Sequence, residues 1–90
     1  MANHPSSLKR HRQSITRHDR NQAIRSRVRT SVRNVREALA TEDAASAQER
    51  LQQATRTIDK AVSKGVLHRN TASRKISRLT RALRQLTAPA

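Results

Sequence analysis

The chain lacks cysteine, phenylalanine, tryptophan and tyrosine altogether, and it holds one glycine and two prolines among its 90 residues. Without cysteine it can form no disulfide, no thiolate zinc site and no thiol nucleophile. No apolar run approaches the ~20 residues needed to cross a bilayer, and no apolar signal segment follows Met1. Without aromatic rings, stacking of splayed-out bases on Phe, Tyr or Trp is excluded, so any nucleic-acid recognition must use phosphates, sugars, groove shape and Arg or His contacts.

Acidic residues are also scarce, because six Asp and Glu stand against 20 Lys and Arg, a formal net charge of +14. Arginine outnumbers lysine sixteen to four, and guanidinium groups bind phosphate bidentately. Only 16 residues are Leu, Ile or Val, and few aliphatics with high net charge are typical of disordered chains. Any ordered core must therefore come from the placement of those aliphatics.

The charge is segregated along the chain. Residues 1–36 carry a net charge of +9, residues 37–63 carry −2, and residues 64–90 carry +7. The two basic blocks predict surfaces that bind a polyanion, and the mildly acidic middle block is predicted to face a different environment.

Apolar residues recur at spacings of three and four in three segments, which predicts three amphipathic helices over about residues 7–40, 43–64 and 70–87. The expected fold is an all-α three-helix bundle over about residues 23–88. The stripes consist of Ile24, Val28, Val32, Val35 and Leu39 on the first helix, Ala44, Ala47, Leu51, Ala54, Ile58 and Ala61 on the second, and Ala72, Ile76, Leu79, Leu83 and Leu86 on the third.

Boundary residues agree with these three helices, and Pro5 with the Ser6-Ser7 pair can start the first one. Asp43 or Thr41 can cap the second helix, and Gly65 can end it. Asn70 can cap the third helix, and Pro89 lies past its end.

The apolar stripe of the first helix stops short of its N-terminal half. Ile15 precedes Ile24 by nine residues, which is about half a turn out of phase, and Leu8 does not join the stripe either. The whole helix is about 50 Å long, whereas its partners have only about 20 residues each. Residues 1–22 are therefore predicted to form a basic arm that projects from the bundle, disordered or partly helical until a partner neutralises it.

Residues that resemble catalytic or metal-binding groups do not converge on a site. His4, His11 and His18 recur every seven residues, which separates them by about 10 Å of helix rise, too far for one ion. Ser14, His18 and Asp19 do not form a triad, because adjacent residues on a helix point about 100° apart. We expect no catalytic residue, no metal and no cofactor.

Basic residues avoid the predicted core, and almost no acids are interleaved with them, which favours polyanion-binding surfaces over an ordinary solvated face. They flank the first stripe at Arg25, Arg29, Arg33 and Arg36, and form a ridge opposite the third stripe at Arg74, Arg78 and Arg81. Charge alone does not separate RNA from DNA, so a histone-like DNA-compacting protein is an alternative. A membrane-active cationic amphipath is disfavoured, because the narrow Ala-rich stripes lack Trp and Phe.

The stretch from residue 58 to 79 resembles the signature of the bacterial small-subunit ribosomal protein S-twenty family. The matching pieces are a turn at Ser63-Lys64-Gly65, a cap at His68-x-Asn70 and a helix with Arg74-x-x-Ser77-Arg78-Leu79. The N-terminus agrees at Met1-Ala2-Asn3, Lys9-Arg10-x-Arg12-Gln13, Arg17, Asn21 and Arg29-Thr30. Because the resemblance begins at residue 2, no presequence is expected before it, and a bacterial cytoplasmic protein is favoured over a mitochondrial one.

The resemblance implies a non-enzymatic constituent of the small ribosomal subunit. Its long first helix would reach into folded 16S ribosomal RNA, near the 5′ domain and the long helix of the 3′ minor domain, and stabilise that RNA during assembly. Other small-subunit proteins would be indirect neighbours, with no membrane contact and no homo-oligomer. The matched positions and the basic faces together give the expected RNA-binding residues: Lys9, Arg10, His11, Arg12, Gln13, Arg17, Arg20, Asn21, Arg25, Arg29, Thr30, Arg33, Lys64, His68, Arg69, Asn70, Arg74, Arg78 and Arg81.

Overall fold

The structure is a computed structural model that describes residues 5–88. These residues form three α-helices, α1 (Pro5–Ala40), α2 (Ala44–Ser63) and α3 (Arg69–Thr87), and no strand occurs within that range. The predicted all-α fold is confirmed, and Pro89, the residue predicted to lie past the third helix, falls outside the described residues. Helix α1 is described from Pro5, one of the residues from which the sequence predicts its start, because the fixed φ of proline suits the first helical turn.

The apolar stripes of the three helices meet in two adjoining clusters. Buried alanines allow close helix packing, and Ala47, Ala54 and Ala61 are fully buried. Val32 packs against both clusters. The cluster nearer the arm holds Ile24, Val28, Ile58, Ala61, Val66 and Ala72, and the other holds Val35, Ala54 and Leu79. The predicted core is therefore confirmed, with Ala38 and Val66 as buried residues that the stripes did not include.

Helix α2 ends on glycine, as the sequence predicts. Gly65 has a φ of +75°, in the left-handed region that glycine adopts without a steric penalty. The Gly65 N–H donates to the Val62 carbonyl and the Val66 N–H donates to the Ala61 carbonyl, both at 2.9 Å, which is the Schellman pattern. The motif turns Val66 into the core cluster that contains Ala61.

Helix α1 ends in the same motif, with a glutamate in the glycine position. Glu42 has a φ of +59° and donates its N–H to the Leu39 carbonyl, while the Asp43 N–H donates to the Ala38 carbonyl, both at 3.1 Å. The Asp43 side chain also accepts the Ser46 N–H at 3.1 Å, so Asp43 is the N-cap of α2, one of the two predicted caps. Asp43 therefore completes the turn that ends α1 and also caps the start of α2.

The predicted cap of α3 is wrong by two residues. His68, with extended backbone, is the N-cap, and its Nδ1 accepts the N–H of Asn70 at 3.0 Å. The His68 carbonyl accepts the N–H of Ala72 at 3.1 Å. Asn70 already lies inside the first turn, so its backbone N–H is the group that needs a cap.

Helix α1 runs well beyond its two partners. Every residue from 5 to 20 is exposed, and burial on α1 begins only at Asn21 and Ile24. The molecule measures 71 × 22 × 16 Å, with a radius of gyration of 18.2 Å, against about 12 Å for a compact domain of this length. The predicted projecting helix is confirmed. Its fraying in the absence of a partner stays a prediction about the free protein in solution.

Candidate nucleic-acid interface

A basic face runs along one side of the projecting part of α1. At about 100° per residue it spans about 160° of the helix circumference, from Arg12 at one edge to Arg10 at the other. Within residues 5–88, no hydrogen bond or ion pair occupies the guanidinium groups of this face. We name it the arm surface, and its side chains, all exposed, are Lys9, Arg10, Arg12, Gln13, Thr16, Arg17 and Arg20.

The arm surface continues onto the bundle through α2. Arg27 follows Arg20 by seven residues and therefore lies on the same side of α1. Arg27, Lys60 of α2 and Lys64, the C-cap of that helix, line a small hollow. Ile24 and Thr57 line it as well. The C-terminal end of α2 thus adds two ammonium groups to the basic face of α1.

A second basic surface lies between α1 and α3. Arg25 and Arg29 of α1 and Lys75 of α3 surround a shallow depression whose apolar lining is Val28 and Leu67. A neighbouring depression has the same Arg29 and Lys75, with Val32 as its apolar lining. We name this surface the α1–α3 groove, and its cations are Arg25, Arg29, Arg33, Arg36 and Lys75.

The predicted arginine ridge on α3 lies beside this groove. Arg74, Arg78 and Arg81 are all exposed. Arg78 stands about 60° around the helix from Lys75, so the ridge begins at the groove's edge. Exposed Arg69, at the start of α3, extends the basic area toward the turn that follows α2.

The arm surface and the α1–α3 groove face opposite sides of α1. Their centres are separated by about half a turn of the helix. The groove-forming residues Arg25, Arg29 and Arg33 therefore point away from the direction of Lys9 and Arg20. Two segments of a polyanion can lie against α1 at once, one on each side.

The remaining side of the bundle is far less basic. A shallow surface between α2 and α3 has one cation, Arg56. Its other lining residues are Gln48, Leu51, Gln52, Thr55, Thr80 and Leu83. The exposed acids Glu37, Glu42, Asp43 and Glu49 lie around the α1–α2 turn, at the end of α1 opposite the arm.

The structure separates the predicted RNA-binding residues into groups. Most fall on the arm surface with its α2 extension, in the α1–α3 groove, or along the α3 ridge. Asn21 differs, because it is partly buried and its Oδ1 atom is buried without a hydrogen-bond partner. His11 lies on the side of the arm away from the arm surface, and Thr30 is an exposed residue of α1. The Nδ1 of His68 is occupied by its capping bond, which leaves Nε2 to face a ligand.

Sequence reasoning missed three residues of these surfaces, namely Arg27, Lys60 and Lys75. It placed Arg36 on the basic face of the first helix but did not include it among the expected RNA-binding residues. The seven-residue step from Arg20 to Arg27 was a usable signal. Lys75 carried no such signal, because its role depends on which side of α1 receives α3.

The described residues contain no group of three or more His, Asp or Glu side chains able to hold a metal ion. None of the three helices is long and apolar enough to cross a membrane.

Three helices with basic surfaces on two opposite sides are typical of a small helical polyanion-binding protein. Comparison with known proteins gives the family. The model of the family described as Ribosomal protein S20 matches residues 2–84, and the chain belongs to this family. It is a ribosomal protein and not an enzyme.

Curated relatives agree along almost their whole length. The chain is 52% identical over 86 residues to small ribosomal subunit protein bS20 of Nitratidesulfovibrio vulgaris, covering 96% of this chain and 99% of the relative. It is 51% identical to the protein of the same name from Geobacter metallireducens, with the same coverage. It is 49% identical to that of Helicobacter pylori, covering 96% of this chain and 97% of the relative.

Proposed function

We propose that the chain is a structural constituent of the small ribosomal subunit that binds 16S ribosomal RNA directly and stabilises its folded form during subunit assembly. The observation that carries the proposal is the pair of basic surfaces on opposite sides of α1. Family membership supports the ribosomal setting, and its curated relatives are small-subunit proteins from bacteria. The protein accordingly acts in the bacterial cytoplasm, within the small subunit.

The proposed mechanism is electrostatic bridging. Arginine and lysine side chains displace the counterions condensed on RNA phosphates. Arginine adds geometric fit, because its guanidinium binds phosphate oxygens bidentately. Two RNA segments that repel each other can then lie against the arm surface and the α1–α3 groove. The bundle fixes the relation between these surfaces, so binding favours one arrangement of the two segments.

The residues proposed to bind RNA are those predicted from the sequence, together with Arg27, Arg36, Lys60 and Lys75. The partner is small-subunit RNA, with neighbouring ribosomal proteins as indirect contacts and no homo-oligomer. Asn21 holds a different position from the rest, at the point where the arm leaves the bundle. Its Oδ1 is buried without a hydrogen-bond partner, and its amide nitrogen is the group that we propose to bind RNA.

The arm is tested by changing Arg10, Arg12 and Arg17 together to Ala. Because these side chains contact nothing in the core, we expect weaker binding to small-subunit RNA fragments and nearly unchanged thermal unfolding of the bundle. Filter binding and circular dichroism measure the two quantities. The control, Arg56→Ala, removes the one cation that lines the α2–α3 surface, and its loss of affinity per charge should be smaller. If the triple variant loses thermal stability of the bundle as severely as it loses RNA affinity, the proposal is contradicted.

Competition distinguishes RNA bridging from DNA compaction. Folded ribosomal RNA should displace duplex DNA from the protein at physiological salt, because the two surfaces are spaced for a folded partner. The reverse order of affinity would favour a histone-like role.

A further inference from the structure

The arm contains a seven-residue repeat, and the electrostatic mechanism uses only its basic positions. Residues 7–13 read Ser-Leu-Lys-Arg-His-Arg-Gln, and residues 14–20 read Ser-Ile-Thr-Arg-His-Asp-Arg. Serine, an aliphatic residue, arginine and histidine occupy the same positions in both copies. One repeat advances α1 by about 10 Å and almost two full turns, so each of these four kinds of side chain appears twice on the same side of the helix.

The aliphatic and histidine positions of the repeat form a stripe of their own. Leu8, His11, Ile15 and His18 lie within about 80° of one another, on the side of α1 away from the arm surface. Leu8 is 44% exposed and Ile15 is 50% exposed, and they are the exposed large hydrophobic residues of the described chain. We name these four residues the arm stripe. It is an apolar and imidazole face on a segment that is otherwise basic except for Asp19, which follows Ile15 by four residues and borders the stripe.

The arm stripe continues the line of the α1–α3 groove. Arg25 follows His18 by seven residues, and Arg29 follows His11 by eighteen residues, which is five full turns. A nucleic-acid strand seated in the groove at Arg25 therefore passes over the arm stripe as it follows α1 toward its N-terminus. This continuity with a cationic groove favours nucleic acid over a protein partner on the stripe.

The chemistry of the arm stripe fits the sugar rather than the phosphate. Leu8 and Ile15 cannot neutralise a phosphate, but they can pack against the carbon atoms of a ribose. Imidazole can both donate and accept hydrogen bonds, as contact with a hydroxyl requires. A-form RNA displays its 2′-hydroxyls in a wide and shallow minor groove, and this hydroxyl is what distinguishes RNA from DNA.

We propose that the arm stripe packs on the riboses of an RNA strand, with His11 and His18 hydrogen-bonded to 2′-hydroxyls. The stripe then favours RNA over DNA through the sugar, whereas the arginines bind the phosphates of either nucleic acid. The inference rests on the proposed function, because it requires the arm to lie on RNA.

The test is a variant with Leu8, His11, Ile15 and His18 all changed to Ala. Alanine keeps the helix and leaves every Lys and Arg in place. Filter binding to a small-subunit RNA fragment and to DNA of the same sequence, across a salt series, should show about tenfold weaker RNA binding. DNA binding should stay within about twofold, and the slope of log affinity against log salt should not change, because no phosphate contact is lost.

The matched control is Arg10→Ala with Arg17→Ala, which changes the arginine position of both repeats. It should weaken RNA and DNA binding alike and reduce the salt slope by about two.

If the control has this effect while the stripe variant binds RNA at full strength, the inference is wrong and the proposed function stands. Equal loss on RNA and DNA by the stripe variant also overturns it. If the stripe variant binds RNA at full strength but is poorly incorporated into small subunits, the stripe contacts a neighbouring protein instead of RNA. If neither variant affects RNA binding, the arm does not lie on RNA and both proposals fall.

Discussion

Glu42 and Gly65 occupy equivalent positions at the ends of α1 and α2, and both have a positive φ. The left-handed conformation costs a residue with a Cβ about 1–2 kcal/mol, whereas glycine loses about 0.5–1 kcal/mol through its greater freedom in the unfolded chain. Glu42→Gly is therefore expected to raise the free energy of unfolding by about 0.5–1 kcal/mol. Urea unfolding followed by circular dichroism measures the change.

Two controls separate this conformational effect from a general effect of glycine. Ala40→Gly, in the last turn of α1, should lower the free energy of unfolding by up to about 1 kcal/mol. Gly65→Ala should also be destabilising, although no atom lies within 4 Å of the position a Cβ would take, because the cost comes from the backbone alone. A destabilising Glu42→Gly would show that Glu42 is held by something other than the turn geometry.

At the scale of the helix, periodicity is enough to predict the fold. Stripe residues such as Ile24, Val28 and Ile58 are buried where the spacing of three and four places them. The features that periodicity missed lie where a helix ends. Val66 is buried because a Schellman turn redirects it, and His68 caps α3 through its ring nitrogen. Such features depend on backbone geometry outside the helix, which the helical period does not describe.

The candidate surfaces were predictable in part for a related reason. The cations of α1 could be placed on two sides of one helix from their sequence numbers alone. Which cations of α2 and α3 join them depends on how the helices pack. Lys60 lines the same hollow as Arg27, and Lys75 lines the same depression as Arg29, because α2 and α3 lie on different flanks of α1. No property of Lys75 in the sequence distinguishes it from a solvated lysine.

The arm as an element has no packing partner within residues 5–88 and a dense positive charge. An isolated helix of this kind is expected to fray, because most helix stability in proteins comes from tertiary packing. Circular dichroism of the free protein should therefore show less helix than the structure contains, and helicity should rise when small-subunit RNA is added. The variant with Arg10, Arg12 and Arg17 changed to Ala should gain helicity in the free state. Full helicity of the unmodified protein without RNA would contradict the prediction.

At the scale of the whole molecule, the small core and the large basic surface serve different purposes. The bundle needs only enough buried area to hold three helices in register, and the remaining length of α1 is left to present charge. The molecule is 71 Å long and only 16 Å across its narrowest dimension. Such a rod places cations along two sides of one helix, an arrangement a compact domain of equal charge could not offer.

This arrangement predicts a steep dependence of RNA binding on salt. If about 6–10 phosphates are neutralised across the two basic surfaces, affinity for a small-subunit RNA fragment should fall about 10³- to 10⁵-fold between 50 and 200 mM salt. A salt titration by filter binding gives the slope. Arg25→Ala with Arg29→Ala, which removes two cations from the α1–α3 groove, should reduce that slope by about two, whereas Arg56→Ala should leave it nearly unchanged. A flat response in the unmodified protein would mean that contacts other than phosphates hold it on the RNA, and the bridging mechanism would then fail for the molecule as a whole.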